Sequence, residues 1–241
     1  MEFEVRLFAS LKDHVNGDRI KVSVSAPASV ATLLAAIASA YPALGPLLDS
    51  SIVSVNREFA FPEMALNDGD EIAMFPPVSG GSEVDEMPYP TYFALSSEPP
   101  DFEMIRQKLT QPDVGAVVSF AGSVRGQTQR DGLPPETISL EYEAYSGMAE
   151  QKMAQIAREI WQQWPNVKGI AIVQRIGKLD VGELTTYVAC AAGHRDQDVF
   201  AAARYGIDRL KEIVPVWKKE IGRDQQVWVE GTYQPTAADR E

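Results

Sequence analysis

The stretch Leu66-Asn67-Asp68-Gly69-Asp70-Glu71-Ile72-Ala73-Met74-Phe75-Pro76-Pro77-Val78-Ser79-Gly80-Gly81 decides how the first third of the chain is read. Asn67-Asp68-Gly69-Asp70 is a turn signal, because these side chains bond their own backbone and glycine accepts a reversed φ. The apolar run behind it predicts a strand over Glu71 to Phe75. Pro76-Pro77 then stiffens the exit. Gly80-Gly81 closes the stretch with no side chain at all, which suits an ordinary flexible linker or, alternatively, a backbone end that can thread a narrow channel.

Upstream, Phe3, Val5 and Leu7 alternate with Glu2, Glu4 and Arg6, which predicts a strand over Glu2 to Phe8 rather than a signal peptide. Ile20, Val22 and Val24 mark a second strand, and Ser51 to Val55 a third. Between them Ser29 is placed to cap a helix whose buried stripe is Val30, Leu33, Leu34 and Ile37, ended by Pro42. The order ββαββ suits one mixed sheet wrapped on one helix. Residues 1–81 are therefore expected to form one small domain. Residues 82–91 are acidic and contain proline without periodicity, which reads as a linker.

Residues 92–241 are expected to form a second domain. A short helix is predicted over Phe102 to Leu109 and an apolar strand over Val114 to Phe120. Ile138 to Tyr145 alternates, with Ile138, Leu140, Tyr142 and Ala144 on one face. Ser146 is placed to cap a helix with the stripe Ala149, Met153, Ile156, Ile160 and Trp164, ended by Pro165. Gly169 to Val173 and Leu184 to Ala192 predict further strands. Asp196 or Asp198 then starts a helix carrying Val199, Ala203, Ile207, Leu210 and Val214, stopped by Pro215, and Gln226 to Glu230 predicts a last strand. The whole is an α+β pattern.

Net charge is −12 over 241 residues. This argues against nucleic-acid binding, which needs a basic footprint. No apolar run is long enough to span a bilayer, so no membrane partner is expected. A single cysteine, Cys190, excludes an intrachain disulfide and reads as a buried strand residue. Two distant histidines make a metal site improbable. A cytoplasmic protein with no resident metal or cofactor is expected.

Against this acidic background, basic residues gathered at predicted element ends are informative. Arg125 lies in the loop after the strand ending at Phe120, and His194-Arg195 lies at a helix start, where free backbone N–H groups favour anions. Lys211 lies near that helix's end, and Lys218-Lys219 lies just past Pro215. Converging, they would bind a phosphate and an anionic tail together. Separately, each has an ordinary structural role: a solvated loop arginine, a capping histidine, a lysine at a helix C-terminus, an exposed charge run.

The stretch from Leu66 to Gly81, and with it residues 1–81, resembles the small subunit of molybdopterin synthase, a β-grasp, ubiquitin-like sulfur carrier. Phe120-Ala121-Gly122-Ser123-Val124-Arg125, Arg175-Ile176-Gly177-Lys178-Leu179, Gly193-His194-Arg195, Arg209-Leu210-Lys211, Pro215-Val216-Trp217-Lys218-Lys219-Glu220 and Val227-Trp228-Val229-Glu230 resemble the large, catalytic subunit of the same enzyme. The resemblance implies an α/β-hammerhead-type catalytic domain with a mainly antiparallel sheet, fused behind the carrier.

It also implies a chemistry. The carrier's terminal glycine, here Gly81, would become a thiocarboxylate through an adenylating, sulfur-loading partner enzyme. Its sulfur would pass to precursor Z, a cyclic pyranopterin monophosphate, to build the dithiolene of molybdopterin. Lys211 and Lys218 would be the catalytic lysines, Lys211 nearest the Gly81 terminus and Lys218 moving protons on substrate. Arg125, His194 and Arg195 would hold phosphate and pterin, Phe120 would wall the pocket, and Lys219 and Arg175 would be lesser contributors. A homodimer through the catalytic domain is implied, and molybdenum would enter after this step. The chain departs from the family pattern in one respect: Gly81 is followed by Ser82, so its carbonyl sits in an amide and a cut between the two is expected. The alternative is a sulfur carrier or ubiquitin-like modifier whose second domain only docks.

Overall fold

The computed structural model describes residues 1–15, 17–76, 87–127, 132–229, 231, 233, 235, 236 and 239. The chain divides into two compact units, Met1–Gly81 with Glu230–Glu241, and Ser82–Val229. Gly80 and Gly81 lie outside the described residues.

The first unit runs β1 (Glu2–Leu7), α1 (Ser10–Asp13), β2 (Arg19–Ser23), α2 (Val30–Ala40), α3 (Gly45–Leu48), β3 (Ile52–Val55), β4 (Glu58–Ala60) and β5 (Ile72–Phe75). The sheet order is β2-β1-β5-β3-β4, with β1 and β5 parallel and the other neighbours antiparallel. This is a β-grasp, with Val30, Leu33 and Ile37 of α2 packed on Val5, Leu7, Val22, Val53 and Met74. The helix begins as expected. Ser29 Oγ accepts from Thr32 N at 3.3 Å and Thr32 Oγ1 accepts from Ser29 N at 2.8 Å, so two otherwise orphaned donors are satisfied reciprocally.

The strand β4 was not expected. It pairs with β3 through Asn56 and Arg57, whose φ values of 53° and 68° are the left-handed pair of a tight hairpin turn. Asn56 holds this strained turn by accepting from Glu71 N at 2.9 Å and donating to Asp70 Oδ1 at 2.9 Å. Asp70 in turn accepts from Asn67 N at 2.7 Å, and Gly69 takes φ of 88° between them. The turn signal is therefore part of a network that sets the entry into β5.

The second unit contains β6 (Thr91–Ser96), α4 (Phe102–Leu109), β7 (Ala116–Ser123), β8 (Ser139–Ala144), α5 (Ser146–Gln163), β9 (Val167–Arg175), β10 (Gly177–Asp180), β11 (Leu184–Ala192), α6 (Val199–Ile213), β12 (Val216–Ile221) and β13 (Gln226–Val229). Two four-stranded sheets result. One has the order β6-β9-β11-β7, antiparallel except for β6 beside β9; the other, β10-β8-β12-β13, is wholly antiparallel.

The first of these sheets is covered on both faces. Ile105 and Leu109 of α4 pack on Ala171, Val173, Tyr187, Ala189 and Ala191. The alternate residues, including Val188, face α6: a Cβ on Gly206 would lie 2.9 Å from Val188 Cγ1 and 3.5 Å from Ile160 of α5. A small residue is required there for close approach. α5 and α6 are locked by Glu159, which accepts from Arg209 Nε at 2.8 Å, Arg209 Nη2 at 3.0 Å and Tyr205 Oη at 2.7 Å.

Several expected helix starts shift. Ser146 is the first residue of α5, with Tyr145 at the cap position and no side-chain cap bond. Asp198 occupies the cap position of α6 at φ 57° and makes no cap bond either, because in that left-handed conformation its side chain does not accept from the first turn. β6, β10 and β12 were not expected. No single helix among the described residues is long and apolar enough to cross a membrane.

Candidate active site

Phe120 sits on β7, cross-strand from Val188 and so on the face toward α6. It is 38% exposed, a large apolar ring left partly open. Lys211, in the last turn of α6, places its Nζ 5.9 Å from the centre of that ring. The pair has the geometry of a cation over an aromatic face, and it holds a positive charge at an apolar wall. The helix's last turn favours a cation there as well.

Lys218 and Lys219 lie on β12, and strand alternation sends them to opposite faces. Lys218 stands opposite Tyr142 of β8 and Val229 of β13. Tyr142 bonds Thr185, and burial raises its phenol above the ordinary range. Glu220, two residues on and on the same face as Lys218, is buried and accepts from the Thr137 hydroxyl. Lys219 instead lies opposite Glu141 and Trp228, with its Nζ 4.6 Å over the Trp228 ring. The two adjacent lysines therefore occupy unlike surroundings: one within a half-buried polar group, the other stacked on an indole.

His194 and Arg195 leave the end of β11. A Cβ on Gly193 would come 2.9 Å from Gln197 Oε1 and 3.2 Å from Asp113 O, so a side chain there would be crowded. His194 N donates to Gln197 Oε1 at 2.9 Å. The imidazole is held on both sides, Nδ1 by the Asp196 carboxylate and Nε2 by Arg195 Nη1 at 2.8 Å. Guanidinium can only donate, so Nε2 accepts and the proton of the neutral ring is on Nδ1. The bond to His194 holds the Asp196 carboxyl below the usual carboxylate range. Asp196 was read from the sequence only as a helix start.

Arg125 is exposed in the loop after β7, next to the buried Val124, whose N–H bonds Glu183 O at 2.9 Å. Arg175 is 4% exposed and donates to Ser97 O at 2.8 Å, with Glu183 at 3.5 Å.

The described contacts thus gather the expected residues into three groups: Phe120 with Lys211, Lys218 with Tyr142, and His194 with Arg195. Within one chain these groups are not all neighbours. His194 and Arg195 precede the start of α6 and Lys211 lies in its last turn. From Val199 to Lys211 the helix rises over twelve positions, about 18 Å at 1.5 Å per residue. Cys190 lies apart from these groups in the sheet core. It is fully buried in β11, and burial pushes its thiol up to about 12.

The model of the ThiS family matches residues 5–81, and the model described as MoaE protein matches residues 95–213. The molybdopterin synthase catalytic subunit of Halalkalibacterium halodurans is 40% identical over 137 residues, 57% of this chain and 84% of that protein. That of Staphylococcus carnosus is 45% identical over 137 residues, 57% of this chain and 87% of that protein. The X-ray structure of molybdopterin synthase from Staphylococcus aureus superposes with a TM-score of 0.51 at 39% identity, covering 61% of this chain and all of that one. The chain belongs to the molybdopterin synthase family, with a ThiS-type sulfur-carrier domain and the catalytic domain of molybdenum-cofactor biosynthesis joined in one polypeptide.

Proposed function

We propose that the chain makes molybdopterin by moving sulfur from a thiocarboxylate on its own Gly81 to precursor Z. One observation carries this reading. The sulfur-carrier match ends at residue 81, on the glycine pair, and a catalytic-subunit match begins at residue 95 of the same chain. The donor and the enzyme that consumes it are encoded together.

Gly81 is usable only as a free terminus, so the chain is cut between Gly81 and Ser82, and a partner enzyme adenylates the new carboxylate and loads sulfur. In each transfer the thiocarboxylate sulfur bonds a side-chain carbon of the pterin as that carbon's C–O bond breaks and its oxygen departs. Water then cleaves the sulfur–acyl bond, restoring the Gly81 carboxylate and leaving the sulfur on the pterin. Two transfers complete the dithiolene. Lys211, with its charge held over Phe120, neutralises the glycine terminus. Lys218, beside Tyr142 and the buried Glu220, moves protons on the substrate. Arg125, His194 and Arg195 hold the phosphate and pterin, and Lys219 balances charge.

The rise of about 18 Å along α6 from its start to Lys211 supports a homodimer through the catalytic domain. His194 and Arg195 of one protomer then complete the site around Lys211 of the other.

Intact mass spectrometry of the protein from its native host tests the cut. A fragment ending at Gly81, and the same fragment heavier by the exchange of one oxygen for sulfur, is the expected result; only full-length chain in an active preparation overturns it. Incubation of the loaded protein with precursor Z must then yield molybdopterin. A docking-only modifier gives none.

A further inference from the structure

We propose that Tyr142 is a positioning residue for Lys218, itself aimed by the hydroxyl of Thr185 on a bulge of β11. The proposal rests on the reading above that Lys218 moves protons on the substrate. It starts from the register of two sheets.

Along β11 and β7 the pairs are Leu184 with Ser123 and Thr186 with Gly122. Two steps on β11 therefore answer one on β7, and Thr185 is the extra residue. A bulge of this kind re-aims a side chain. Gln174 of β9 fixes it. The Gln174 carboxamide donates to Thr185 O at 3.1 Å and to Arg175 O at 2.8 Å, and it accepts from Thr186 Oγ1 at 2.8 Å. Gln174, Thr185 and Thr186 are all buried, so water does not compete for these bonds.

The Thr185 hydroxyl reaches two places. A Cβ on Gly122 would lie 3.1 Å from Thr185 Oγ1 and 3.2 Å from Phe120 Cε1, so the hydroxyl borders the wall that Lys211 faces. The same side chain bonds the Tyr142 phenol of the other sheet. Tyr142 packs with Val124, Leu140 and Leu179 and stands directly opposite Lys218. Opposed residues on one face of a sheet hold their Cβ atoms about 4.5–5.5 Å apart. On this face of β8, β10, β12 and β13 the titratable side chains are Tyr142, Lys218 and Glu220.

Donors and acceptors then fall in one order. An ammonium can only donate, so toward Lys218 the phenol oxygen accepts. The phenol's own proton goes to Thr185 Oγ1, which can accept it. Burial, with the charge of Glu220, keeps the phenol protonated at neutral pH. A threonine held by buried amide bonds thus orients the phenol, and the phenol restrains the end of a flexible four-carbon stem. The chain from Gln174 through Thr185 and Tyr142 also ties the lysine of β12 to the Phe120 wall.

The test reads Lys218 without the reaction. The full-length chain is labelled with acetic anhydride at a series of pH values, and acetylation of Lys218 and Lys219 is quantified by peptide mass spectrometry. Tyr142→Phe keeps the ring and removes the oxygen that accepts from the ammonium. It is expected to lower the labelling midpoint of Lys218 by at least ~0.5 pH unit, about a threefold change in its protonation equilibrium. The midpoint of Lys219, on the opposite face, is expected to stay in place. Thr185→Val is expected to act as Tyr142→Phe does, and Thr185→Ser to restore the midpoint. Single-turnover transfer from preformed thiocarboxylate is expected to fall roughly fivefold in Tyr142→Phe, the worth of one hydrogen bond. Circular dichroism melts check folding; where Thr185→Val does not fold, Tyr142→Phe decides. An unmoved Lys218 midpoint overturns the proposal whatever the rate, as do equal shifts at Lys218 and Lys219. The labelling needs neither thiocarboxylate nor precursor Z. Full transfer by Lys218→Ala would therefore refute the proton-moving reading alone, and an unmoved midpoint beside a slow Lys218→Ala refutes only the positioning.

Discussion

At the residue scale the cations were legible because they stand against a net charge of −12. What surrounds them was not. Neither spacing nor composition places Tyr142 across from Lys218, since that needs the register of two strands whose paired residues lie 76 positions apart. Adjacent lysines look equivalent in a sequence and are not so on a strand. Lys218→Ala is expected to lower kcat by roughly 10²–10⁴, the usual worth of a positioned proton donor or acceptor. Lys219→Ala, on the opposite face over Trp228, is expected to cost no more than about tenfold. Single-turnover rates with preformed thiocarboxylate separate the two, and equal losses would remove the distinction drawn from strand alternation. Cys190 offers a control on the route of the sulfur. Its buried thiol, with a pKa of about 12, is not a thiolate at neutral pH. Native protein is expected to resist iodoacetamide at pH 8 and to react once denatured, and Cys190→Ala is expected to keep full turnover. Loss of turnover without loss of stability would place the cysteine in the pathway after all.

At the scale of elements, patterning succeeded where one face is buried and the other wet. β1 alternates strictly, exposed and buried, and the alternation found it to within one residue, the strand ending at Leu7 rather than Phe8. It failed where both faces are enclosed or neither is. β12 reads Val-Trp-Lys-Lys-Glu-Ile, with Trp217 buried on one face and Glu220 on the other, so no hydrophobic alternation announces it. β6 is half-buried at every position. These strands exist because neighbours pair with them, which is tertiary information. The same holds for the glycines that set close approach. A Cβ on Gly115 would meet the Gly193 carbonyl oxygen at 2.5 Å, and backbone cannot yield as a side chain can. Gly115→Ala is therefore expected to destabilise the second unit by about 1–3 kcal/mol and to displace His194 and Arg195 with the strand end. A thermal melt reads the first effect and KM for precursor Z the second. Between helices, Glu159→Gln leaves Arg209 poorly matched at a site where the arginine side chain is 13% exposed. The cost is expected to be about 2–3 kcal/mol, seen as a lower Tm, with little change in kcat for the protein that remains folded.

At the scale of the whole molecule, fusion changes what must be assembled. Separate carrier and catalytic chains have to find each other, whereas here stoichiometry is fixed by translation. Fusion does nothing to bring His194 and Arg195 to Lys211, because all three belong to the catalytic domain and stand at opposite ends of α6. A second protomer is the remaining source of convergence, and a two-fold arrangement would supply it twice. This leads to a complementation experiment. His194→Ala and Lys211→Ala chains are each expected to be nearly inactive. Mixed in equal amounts under conditions that exchange subunits, half of the dimers become hybrids. In each hybrid one site carries both substitutions and the other carries neither. Activity is then expected to recover to about a quarter of the wild-type value. If each chain built its site alone, every site would retain one substitution and mixing would restore nothing. The recovery depends only on which protomer supplies each side chain, so it reads the geometry of the site directly, without a ligand in view.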